Sequence, residues 1–170
     1  MRGEVTIGGS KNAALPIMAA TLLTDEPCVV RGVPDLSDTR FMALILKSLG
    51  AEVKFKDGTL TVRAKKIQGR ADYDLVRKMR GSICVAGPLL ARLRQAQISL
   101  PGGCVNGARP INLHLKGFAS LGAKIEIAGG YVHATAKKLT GGPTFLGGRA
   151  GSTVLGTANV MMAATLAAST

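Results

Sequence analysis

The sequence predicts an α/β fold built from a unit that is repeated along the chain. The string Ser-Leu-Gly-Ala occurs at 48–51 and again at 120–123, a shift of 72 in the numbering. Met-Ala-Ala-Thr-Leu occurs at 18–22 and at 162–166, which is twice that shift. Self-similarity at one such period indicates repeated units that pack on one another. Helix-like and strand-like patterns alternate within each unit, which indicates the α/β class.

The first unit, about residues 3–66, predicts the element order βαβαββ. Ser10 can cap a helix that runs from Lys11 to about Leu23. A second helix carries an apolar face at helical spacing, and Gly50 ends it. Asp57-Gly58 lies between two alternating runs and is a strong hairpin signal. The other expected elements are strands at 4–7 and about 27–30, and a start of the second helix after Asp35 with Ser37 or Asp38 as its cap.

The second unit, about 67–138, is expected to repeat this order. A long helix is expected from about Asp74 to Arg94, and Gly129-Gly130 is expected at the closing hairpin turn. The third unit, about 139–170, contains only a beginning, so the chain is expected to be one incomplete domain, 1–170, of a longer protein. The other expected elements are strands at 96–100 and about 143–146, and helices at about 109–121 and about 152–168.

The composition favours a globular protein that binds small anions. The chain is 46% hydrophobic, enough for a core, and its net charge is +12. Such a charge suits nucleic acid, an acidic membrane surface or small polyanions. The basic residues never form a run longer than two, and aromatic residues are only 4%, too few for base stacking. Phosphorylated small molecules are therefore favoured, and neither nucleic acid nor a membrane is expected as a partner. A basic surface offset by an acidic partner domain explains part of the charge equally well.

The cysteines and histidines indicate neither a disulfide framework nor a metal site. There are three cysteines and no C-x-x-C pair. Cys28 and Cys84 lie in apolar runs and are expected in the core. His114 and His133 lack ligand spacing, so neither a metal nor another cofactor is expected. No run approaches the roughly 18 apolar residues of a membrane span, and no signal peptide is visible, so a cytoplasmic protein is expected.

The segment Ser99–Pro110, with the sequence S-L-P-G-G-C-V-N-G-A-R-P, is the strongest candidate for chemistry. Its glycines allow close approach to a ligand and leave a loop able to move. A cation at Arg109 favours the thiolate of Cys104, so this thiol can act as an acid near neutral pH. From spacing alone, the alternative is a glycine-rich turn with an incidental thiol.

Further candidates for anion binding lie where helices begin. Residues 8–12 include Lys11 and lead into the first helix, whose N-terminus attracts phosphate or carboxylate. Arg80 lies one period after this segment, so it should lie near Lys11, and Arg109 could complete a cluster for bidentate binding. Residues 147–153 are another glycine-rich start of a helix. Ordinary helix caps and unrelated surface cations are the alternative.

Several segments together resemble the UDP-N-acetylglucosamine enolpyruvyl transferase family. The resemblance covers essentially the whole chain, and the P-G-G-C loop is absent from the related shikimate-pathway enzymes. The resembling segments are G-E-V-T-I-G-G-S-K-N-A-A-L-P-I-M-A-A-T-L-L from Gly3, V-R-K-M-R-G-S-I from Val76, L-P-G-G-C-V-N-G-A-R-P-I-N-L-H-L from Leu100 and A-N-V-M-M-A-A-T-L-A from Ala158.

The resemblance implies an inside-out α/β barrel fold of two similar domains, each with three βαβαββ units, and a cleft between them. This chain would be most of the domain that carries the cysteine loop. The family transfers the enolpyruvyl group of phosphoenolpyruvate to the 3′-hydroxyl of UDP-N-acetylglucosamine and releases phosphate. This reaction is the first committed step of peptidoglycan synthesis.

The resemblance also implies roles for individual residues. Cys104 would protonate the enolpyruvyl methylene or form a covalent phospholactoyl adduct, and fosfomycin would alkylate it. Lys11, Arg80 and Arg109 would hold the phosphate and carboxylate of phosphoenolpyruvate, and Asn12 would contact the sugar near its 3′-hydroxyl. The remaining implied substrate contacts are Pro110, Ile111, Asn112 and Leu113 at the uridine end, and Arg149, Ser152 and Thr153 before the last helix.

Two departures from the family pattern limit these expectations. Asn112 stands where an acidic residue is common, and R-A-G-S-T-V-L-G-T replaces the usual K-x-S-V-G-A-T. The missing second domain would supply the aspartate that deprotonates the 3′-hydroxyl, so the chain alone is expected to be inactive. An incomplete third unit should expose apolar surface and favour self-association. The alternative function is a non-catalytic domain of the same fold that binds a phosphorylated ligand or a partner domain.

Overall fold

The computed structural model of the chain describes residues 2–5, 7–100, 111–148 and 151–168. Over these residues it contains six α-helices, two three-stranded antiparallel sheets and a two-stranded ribbon. The predicted α/β class is therefore confirmed. None of the helices in this part of the chain is long and apolar enough to cross a membrane.

The helices and strands follow one another in two similar series. The α-helices are α1 (Lys11–Ala20), α2 (Ser37–Ser48), α3 (Tyr73–Val76), α4 (Ala86–Leu93), α5 (Asn112–Ser120) and α6 (Val154–Ala164). One 3₁₀-helix, Thr21–Leu23, follows α1, and another, Arg80–Val85, precedes α4. The strands are β1 (Cys28–Val30), β2 (Glu52–Lys56), β3 (Thr59–Arg63), β4 (Gln95–Ser99), β5 (Lys124–Ala128), β6 (Tyr131–Thr135), β7 (Gly147–Gly148) and β8 (Gly151–Ser152).

The two sheets have the same construction. Their strand orders are β1-β3-β2 and β4-β6-β5, and every pair is antiparallel. Both predicted hairpins are confirmed, because Asp57 and Gly58 have φ of 48° and 69°, and Gly129 and Gly130 have φ of 57° and 79°. Positive φ at both central residues matches the right-handed twist of the adjoining strands.

Each sheet buries one face against helices and leaves the other in solvent. In β3 and β6 the buried residues alternate with less buried ones, as a half-buried strand requires. Helix α4 lies at the centre, and its first six residues are all buried. It packs against α6 on one side and against the 3₁₀-helix Thr21–Leu23 on another. The helices therefore provide most of the shared core, and the sheets cover them.

Two arginines at the end of α4 link it to distant segments. Arg92 donates from Nη1 to the carbonyl oxygen of Ala64 at 2.7 Å and to two carbonyls that follow α1. Arg94 donates from Nη2 to the carbonyl oxygen of Leu166 at 3.2 Å. These side chains satisfy carbonyl groups at the ends of elements, which otherwise lack partners.

The two series differ in the position of the first strand of each sheet. Val62 faces Cys28 across the first sheet, whereas Ala134, one period after Val62, faces Ala96. The residue one period after Cys28 is Leu100, which lies beyond the end of β4. Residues 31–36 connect β1 to α2, and the longer segment 100–111, which includes Cys104, connects β4 to α5. The spacing of 72 positions between the two series is nevertheless kept. In the second series the connection from α4 to β4 is shorter, and the segment from β4 to α5, which contains Cys104, is longer by a similar amount.

Two predicted elements are wrong. Among the described residues at 4–7, Val5 and Ile7 are 81% and 86% exposed and belong to no strand, because no neighbouring strand pairs with them. The long helix expected from Asp74 to Arg94 is divided into α3, the 3₁₀-helix and α4. Met79 is extended, with φ −144° and ψ 126°, and its side chain is buried, so tertiary packing overrides helix propensity there.

Some predicted helix caps are also wrong, although α1 begins at Lys11 and α2 begins after Asp35, as predicted. The hydroxyl of Ser10 precedes α1 but makes no capping bond within the described chain. Helix α2 is capped from inside, because Thr39 Oγ1 accepts the N–H of Leu36 at 3.1 Å, so neither Ser37 nor Asp38 is the cap. The last helix is expected from about 152, but it begins at Val154, and Thr153 caps it by accepting the N–H of Gly156 at 3.0 Å.

Three further expectations differ from the structure. Helix α5 begins at Asn112, because Ile111 already has the non-helical backbone of a cap. Residues 143–146 form no strand, and the nearest strand is β7 at Gly147–Gly148. Cys84 is buried as expected, whereas Cys28 is only half-buried, because β1 lies at the edge of its sheet.

Candidate active site

Lys11 is the first residue of α1 and pairs with an acidic residue of a second helix. Its Nζ lies 2.9 Å from Oδ2 of Asp38, the second residue of α2. The pair therefore joins the N-terminal ends of two helices, where free N–H groups favour anions. The side chains are 46% and 31% exposed, so the ammonium of Lys11 can still contact a second anion from solvent. Asn12 follows Lys11 in α1 and is exposed.

Arg80 opens the 3₁₀-helix that precedes α4, and it is half-buried. Its charge reaches two buried groups, Cys84 and His114. Burial raises the pKa of the Cys84 thiol to about 12, and the Arg80 charge partly opposes this rise. Burial and, to a smaller extent, the Arg80 charge together lower the pKa of His114 to about 4. Both groups are therefore neutral near pH 7, and Arg80 provides the fixed positive charge of this region.

His114 belongs to a buried network with Asn159 of α6. Asn159 Nδ2 donates to the carbonyl oxygen of Ile83 at 2.9 Å and lies 3.0 Å from Nδ1 of His114. Its Oδ1 accepts the backbone N–H of Gly87 at 2.7 Å. Asn159 and His114 are 0% and 1% exposed. The network connects α4, α5, α6 and the 3₁₀-helix of Arg80.

The N-terminal end of α5 lies beside the ribbon that precedes α6. Ile111 is buried, Asn112 is exposed and Leu113 is half-buried. A Cβ on Gly148 would lie 3.5 Å from Leu113 Cδ2, so β7 packs against this end of α5. Ser152 is exposed in β8. The Thr153 hydroxyl already accepts the N–H of Gly156, so its oxygen stabilises α6.

The described residues include two members of the predicted cation cluster. The structure places Lys11 with Asp38 and Arg80 near His114, at the ends of helices that pack together. The other predicted site residues lie outside the described residues, namely Cys104, Arg109, Pro110 and Arg149. Their positions relative to Lys11 and Arg80 stay predictions.

Asp38 and Asn159 are residues of this region that motif analysis missed as functional groups. Asp38 gave a signal only as a possible helix cap. Asn159 is unusual in the sequence only by comparison, because the residues 72 and 144 positions before it are Gly87 and Leu15, which are not polar. A polar residue at the position where the other units have small or apolar residues needs a buried partner.

A cavity of about 430 Å³ lies elsewhere, between α6 and the segment before β7. Its lining includes Leu121, Leu146, Val160 and Met161, and none of its described lining residues is charged. A polar reaction on phosphorylated substrates needs charged groups, so the cavity is a poorer candidate than the helix ends around Lys11 and Arg80. No group of three metal-ligating side chains occurs in the described part of the chain.

Comparison with known proteins gives one family. A family model described as EPSP synthase (3-phosphoshikimate 1-carboxyvinyltransferase) matches residues 1–170. A UDP-N-acetylglucosamine 1-carboxyvinyltransferase of Methylacidiphilum infernorum is 58% identical over 96% of this chain and 39% of that protein. A protein of the same name from Akkermansia muciniphila is 53% identical over 100% of this chain and 40% of that protein. The chain thus spans about 40% of the length of these curated relatives.

Solved structures agree on the fold. The enolpyruvyl transferase NikO from Streptomyces tendae matches with a TM-score of 0.69 and 25% identity, over 82% of this chain and 32% of that one. EPSP synthase from Acinetobacter baumannii matches with a TM-score of 0.72 and 18% identity, over 97% of this chain and 39% of that one. The second likeness supports the fold alone.

Proposed function

Because the chain belongs to the EPSP synthase (3-phosphoshikimate 1-carboxyvinyltransferase) family, we propose that it is the phosphoenolpyruvate-holding part of a UDP-N-acetylglucosamine 1-carboxyvinyltransferase. The observation that carries this proposal is the 58% identity to a relative of that name over 96% of the chain. The enolpyruvyl group of phosphoenolpyruvate moves to the 3′-hydroxyl of UDP-N-acetylglucosamine, and phosphate leaves. The product enters peptidoglycan synthesis.

Lys11, Arg80 and Arg109 bind the phosphate and carboxylate of phosphoenolpyruvate in this proposal. The exposed half of Lys11 and the fixed charge of Arg80 support it. Fixed cations stabilise an anion whose charge is redistributed in the transition state, and they need no reorganisation during the reaction. Asn12 is next to Lys11 and contacts the sugar near its 3′-hydroxyl. The start of α5, including Ile111, Asn112 and Leu113, contacts the uridine end.

Cys104 supplies the proton of the addition step. The 3′-oxygen bonds to C2 of phosphoenolpyruvate, the C2–C3 double bond opens, and the thiol proton goes to C3. Elimination then breaks the C2–O bond to phosphate, which leaves with the electron pair, and the Cys104 thiolate takes a proton back from C3. The C2–C3 double bond is restored, now as the enol ether of the sugar. Cys104 lies outside the described residues, so its role is supported by the family motif together with the longer connection between β4 and α5.

The finer architecture is also a proposal. We infer three repeated units, about 3–66, 67–138 and 139–170, of which the third is partial, arranged as an inside-out barrel with helices inside. The expected order of each unit is βαβαββ, and the described residues of the first unit give αβαββ, without the strand at 4–7. The identical strand orders of the two sheets support this inference. So does the hydrogen bond between Gly87 and Asn159, which lie one period apart.

The isolated chain is expected to show no turnover. It spans about 40% of its curated relatives, and the base that deprotonates the 3′-hydroxyl belongs to the second domain that the family resemblance implies. The exposed apolar side chains of Phe145, Val154 and Met161, at 77%, 84% and 66%, favour self-association of the chain. A non-catalytic domain that binds a phosphorylated ligand is the second candidate, and the same 40% coverage favours it for the chain by itself.

Calorimetric titration with phosphoenolpyruvate tests the proposal. Lys11→Ala should weaken binding about tenfold or more, since a charge-assisted contact contributes roughly 1.5–3 kcal/mol. Lys56→Ala is the matched control, because Lys56 is an exposed lysine of the β2–β3 hairpin with its own acidic neighbour, Asp57. Equal affinity in both variants, or no binding by the unmodified chain at millimolar concentration, would contradict the proposed site.

UDP-N-acetylglucosamine separates the two candidate functions. A transferase half-site should bind phosphoenolpyruvate more tightly when the nucleotide sugar is present, because the two substrates bind next to each other in the same cleft. A domain that only binds phosphorylated ligands should bind phosphoenolpyruvate and inorganic phosphate alike and should not respond to the sugar nucleotide.

A further inference from the structure

The side-chain amide of Asn159 is fully buried and makes three hydrogen bonds. The chemistry of the three partners determines which of its atoms is the oxygen and which is the nitrogen. The backbone N–H of Gly87 can only donate, so the atom 2.7 Å from it is Oδ1. The carbonyl oxygen of Ile83 can only accept, so the atom 2.9 Å from it is Nδ2. The second hydrogen of Nδ2 then points to Nδ1 of His114, which must accept it.

This geometry fixes the protonation of His114 as well. Because Nδ1 accepts a hydrogen bond, the ring proton lies on Nε2. The ring is 1% exposed, and a positive charge on it would add to that of Arg80. A charged imidazole would also present a hydrogen on Nδ1 toward the hydrogen on Nδ2 of Asn159. The buried amide therefore favours the neutral ring, in agreement with the effect of burial.

The partners of Asn159 lie close to the proposed binding groups. Ile83 is three residues after Arg80, about one turn of the same 3₁₀-helix. His114 is the third residue of α5, in the turn that begins with Asn112. Gly87 is the second residue of α4, and a Cβ there would lie 2.5 Å from Oδ1 of Asn159. One side chain of α6 thus holds the segment of Arg80 and the start of α5.

We propose that Asn159 is a positioning residue, whose amide fixes the 3₁₀-helix of Arg80 and the first turn of α5 in the one arrangement that binds substrate. This inference rests on the proposed function, because Arg80 is there the group that holds phosphoenolpyruvate. Asn159 itself contacts neither substrate. It acts through Ile83, Gly87 and His114, and its removal leaves buried donors and acceptors unpaired.

The test compares three variants of the full 170-residue chain by NMR. Asn159→Ala removes all three bonds, and Asn159→Asp keeps the shape but replaces the donor with an acceptor. Met162→Ala is the control, because Met162 lies on the same helix, is 7% exposed and packs in the core without belonging to the network. The readouts are hydrogen exchange of the Gly87 amide, the Nε–H signal of Arg80 and the ring nitrogens of His114.

If the proposal is right, Asn159→Ala speeds exchange at Gly87 by about tenfold or more relative to Met162→Ala, as expected for one lost buried hydrogen bond. It also shifts and broadens the Nε–H signal of Arg80, and Met162→Ala does not. Asn159→Asp places a carboxylate against Nδ1, so His114 should become protonated on both nitrogens near neutral pH. If Asn159 had only a structural role, Asn159→Ala and Met162→Ala would both lower stability, and the Nε–H signal of Arg80 would be the same in these two variants. That result would overturn the proposal.

Phosphoenolpyruvate binding supplies the second readout. Asn159→Ala should bind about tenfold more weakly than Met162→Ala, at conditions where both variants are folded. Equal affinities would also overturn the positioning role. If the unmodified chain fails to bind phosphoenolpyruvate, the proposed function fails, and the signals of Arg80 and His114 still decide whether Asn159 positions them.

Discussion

The backbone N–H of Gly87 donates a 2.7 Å hydrogen bond to Oδ1 of Asn159, a residue 72 positions further along the chain. Arg94 and Leu166, joined by a 3.2 Å bond, are separated by the same 72 positions. Leu15, one period before Gly87, is also buried and touches Gly81, where a Cβ would lie 2.9 Å from its Cδ1. Two pairs of residues 72 positions apart thus meet, Gly87 with Asn159 in the core and Arg94 with Leu166 near the surface, as the proposed repeat of the units requires.

The contact at Gly87 predicts a large loss of stability in Gly87→Ala. The added Cβ would clash with the backbone carbonyl oxygen of Asn159 and would lie 2.5 Å from its Oδ1, so rotation of the amide cannot relieve the contact and α4 and α6 must separate. We expect a loss of about 3 kcal/mol or more, from overpacking and from lost buried hydrogen bonds. Urea unfolding measures it.

Gly142→Ala is the control for this prediction. A Cβ at Gly142 would have open space around it, and the residue has no positive φ. We expect a change within about 0.5 kcal/mol, as for surface substitutions in general. Similar losses in the two variants would show that the packing argument at Gly87 is wrong.

The ion pair of Lys11 and Asp38 predicts a small energetic coupling. Both side chains are partly exposed, at 46% and 31%, so solvent screens the pair. A double-mutant cycle of Lys11→Ala and Asp38→Ala should give about 0.2–1 kcal/mol, with a decrease at high salt. A coupling above about 2 kcal/mol would mean that the pair is a major stabilising contact, and Lys11 would then be a poor candidate for binding substrate.

The buried His114 predicts a pH dependence of stability below neutral pH. Burial lowers its pKa from 6.5 to about 4, so as pH falls the unfolded chain takes up this proton first. Stability from this group is present above pH 6.5 and is lost as pH falls toward 4, by at most about 1.4 kcal/mol per pH unit. Urea unfolding at several pH values measures the slope.

His114→Asn should flatten that slope, since its side chain can still accept from Asn159 but does not titrate. His133→Asn is the control, because His133 lies half-buried on the solvent side of the second sheet, and it should keep the slope. An unchanged slope in His114→Asn would contradict a buried neutral ring.

The two described cysteines should differ in reactivity. Burial raises the pKa of Cys84 to about 12, so its thiolate is scarce at neutral pH and its sulfur is inaccessible. Cys28 is half-buried at the sheet edge. A thiol reagent should modify Cys28 in the folded chain and Cys84 only on unfolding, as followed by peptide mass spectrometry. Fast modification of Cys84 under native conditions would contradict the buried position.

Elements fixed by a few neighbouring residues could be predicted from the sequence. The hairpins at Asp57-Gly58 and Gly129-Gly130 need only turn residues that tolerate positive φ between alternating runs. The break of the long helix could not be predicted, because it lies where Met79 is extended and its side chain is buried in a core formed by residues distant in the sequence. The strand at 4–7 failed for a similar reason, since a strand depends on a partner that local sequence does not specify.

The candidate site shows the same division. Lys11 and Arg80 could be found because motif and period place them where helices begin. Asp38 and Asn159 could not be assigned roles, because their partners, Lys11 and His114, belong to other helices. The spacing of 72 positions does identify Asn159 as the polar residue in a set with Leu15 and Gly87. Only the fold shows which groups form hydrogen bonds with its amide.

The most direct test of the proposed transferase site is peptide mass spectrometry after incubation with fosfomycin, with and without UDP-N-acetylglucosamine. A thiolate opens the epoxide, so a carbon–sulfur bond forms as a carbon–oxygen bond breaks. The account predicts one adduct, at Cys104, formed faster with the sugar nucleotide, with Cys28 and Cys84 as internal controls. Unmodified Cys104, or an adduct at Cys28 in equal yield, would contradict an activated thiol in this chain.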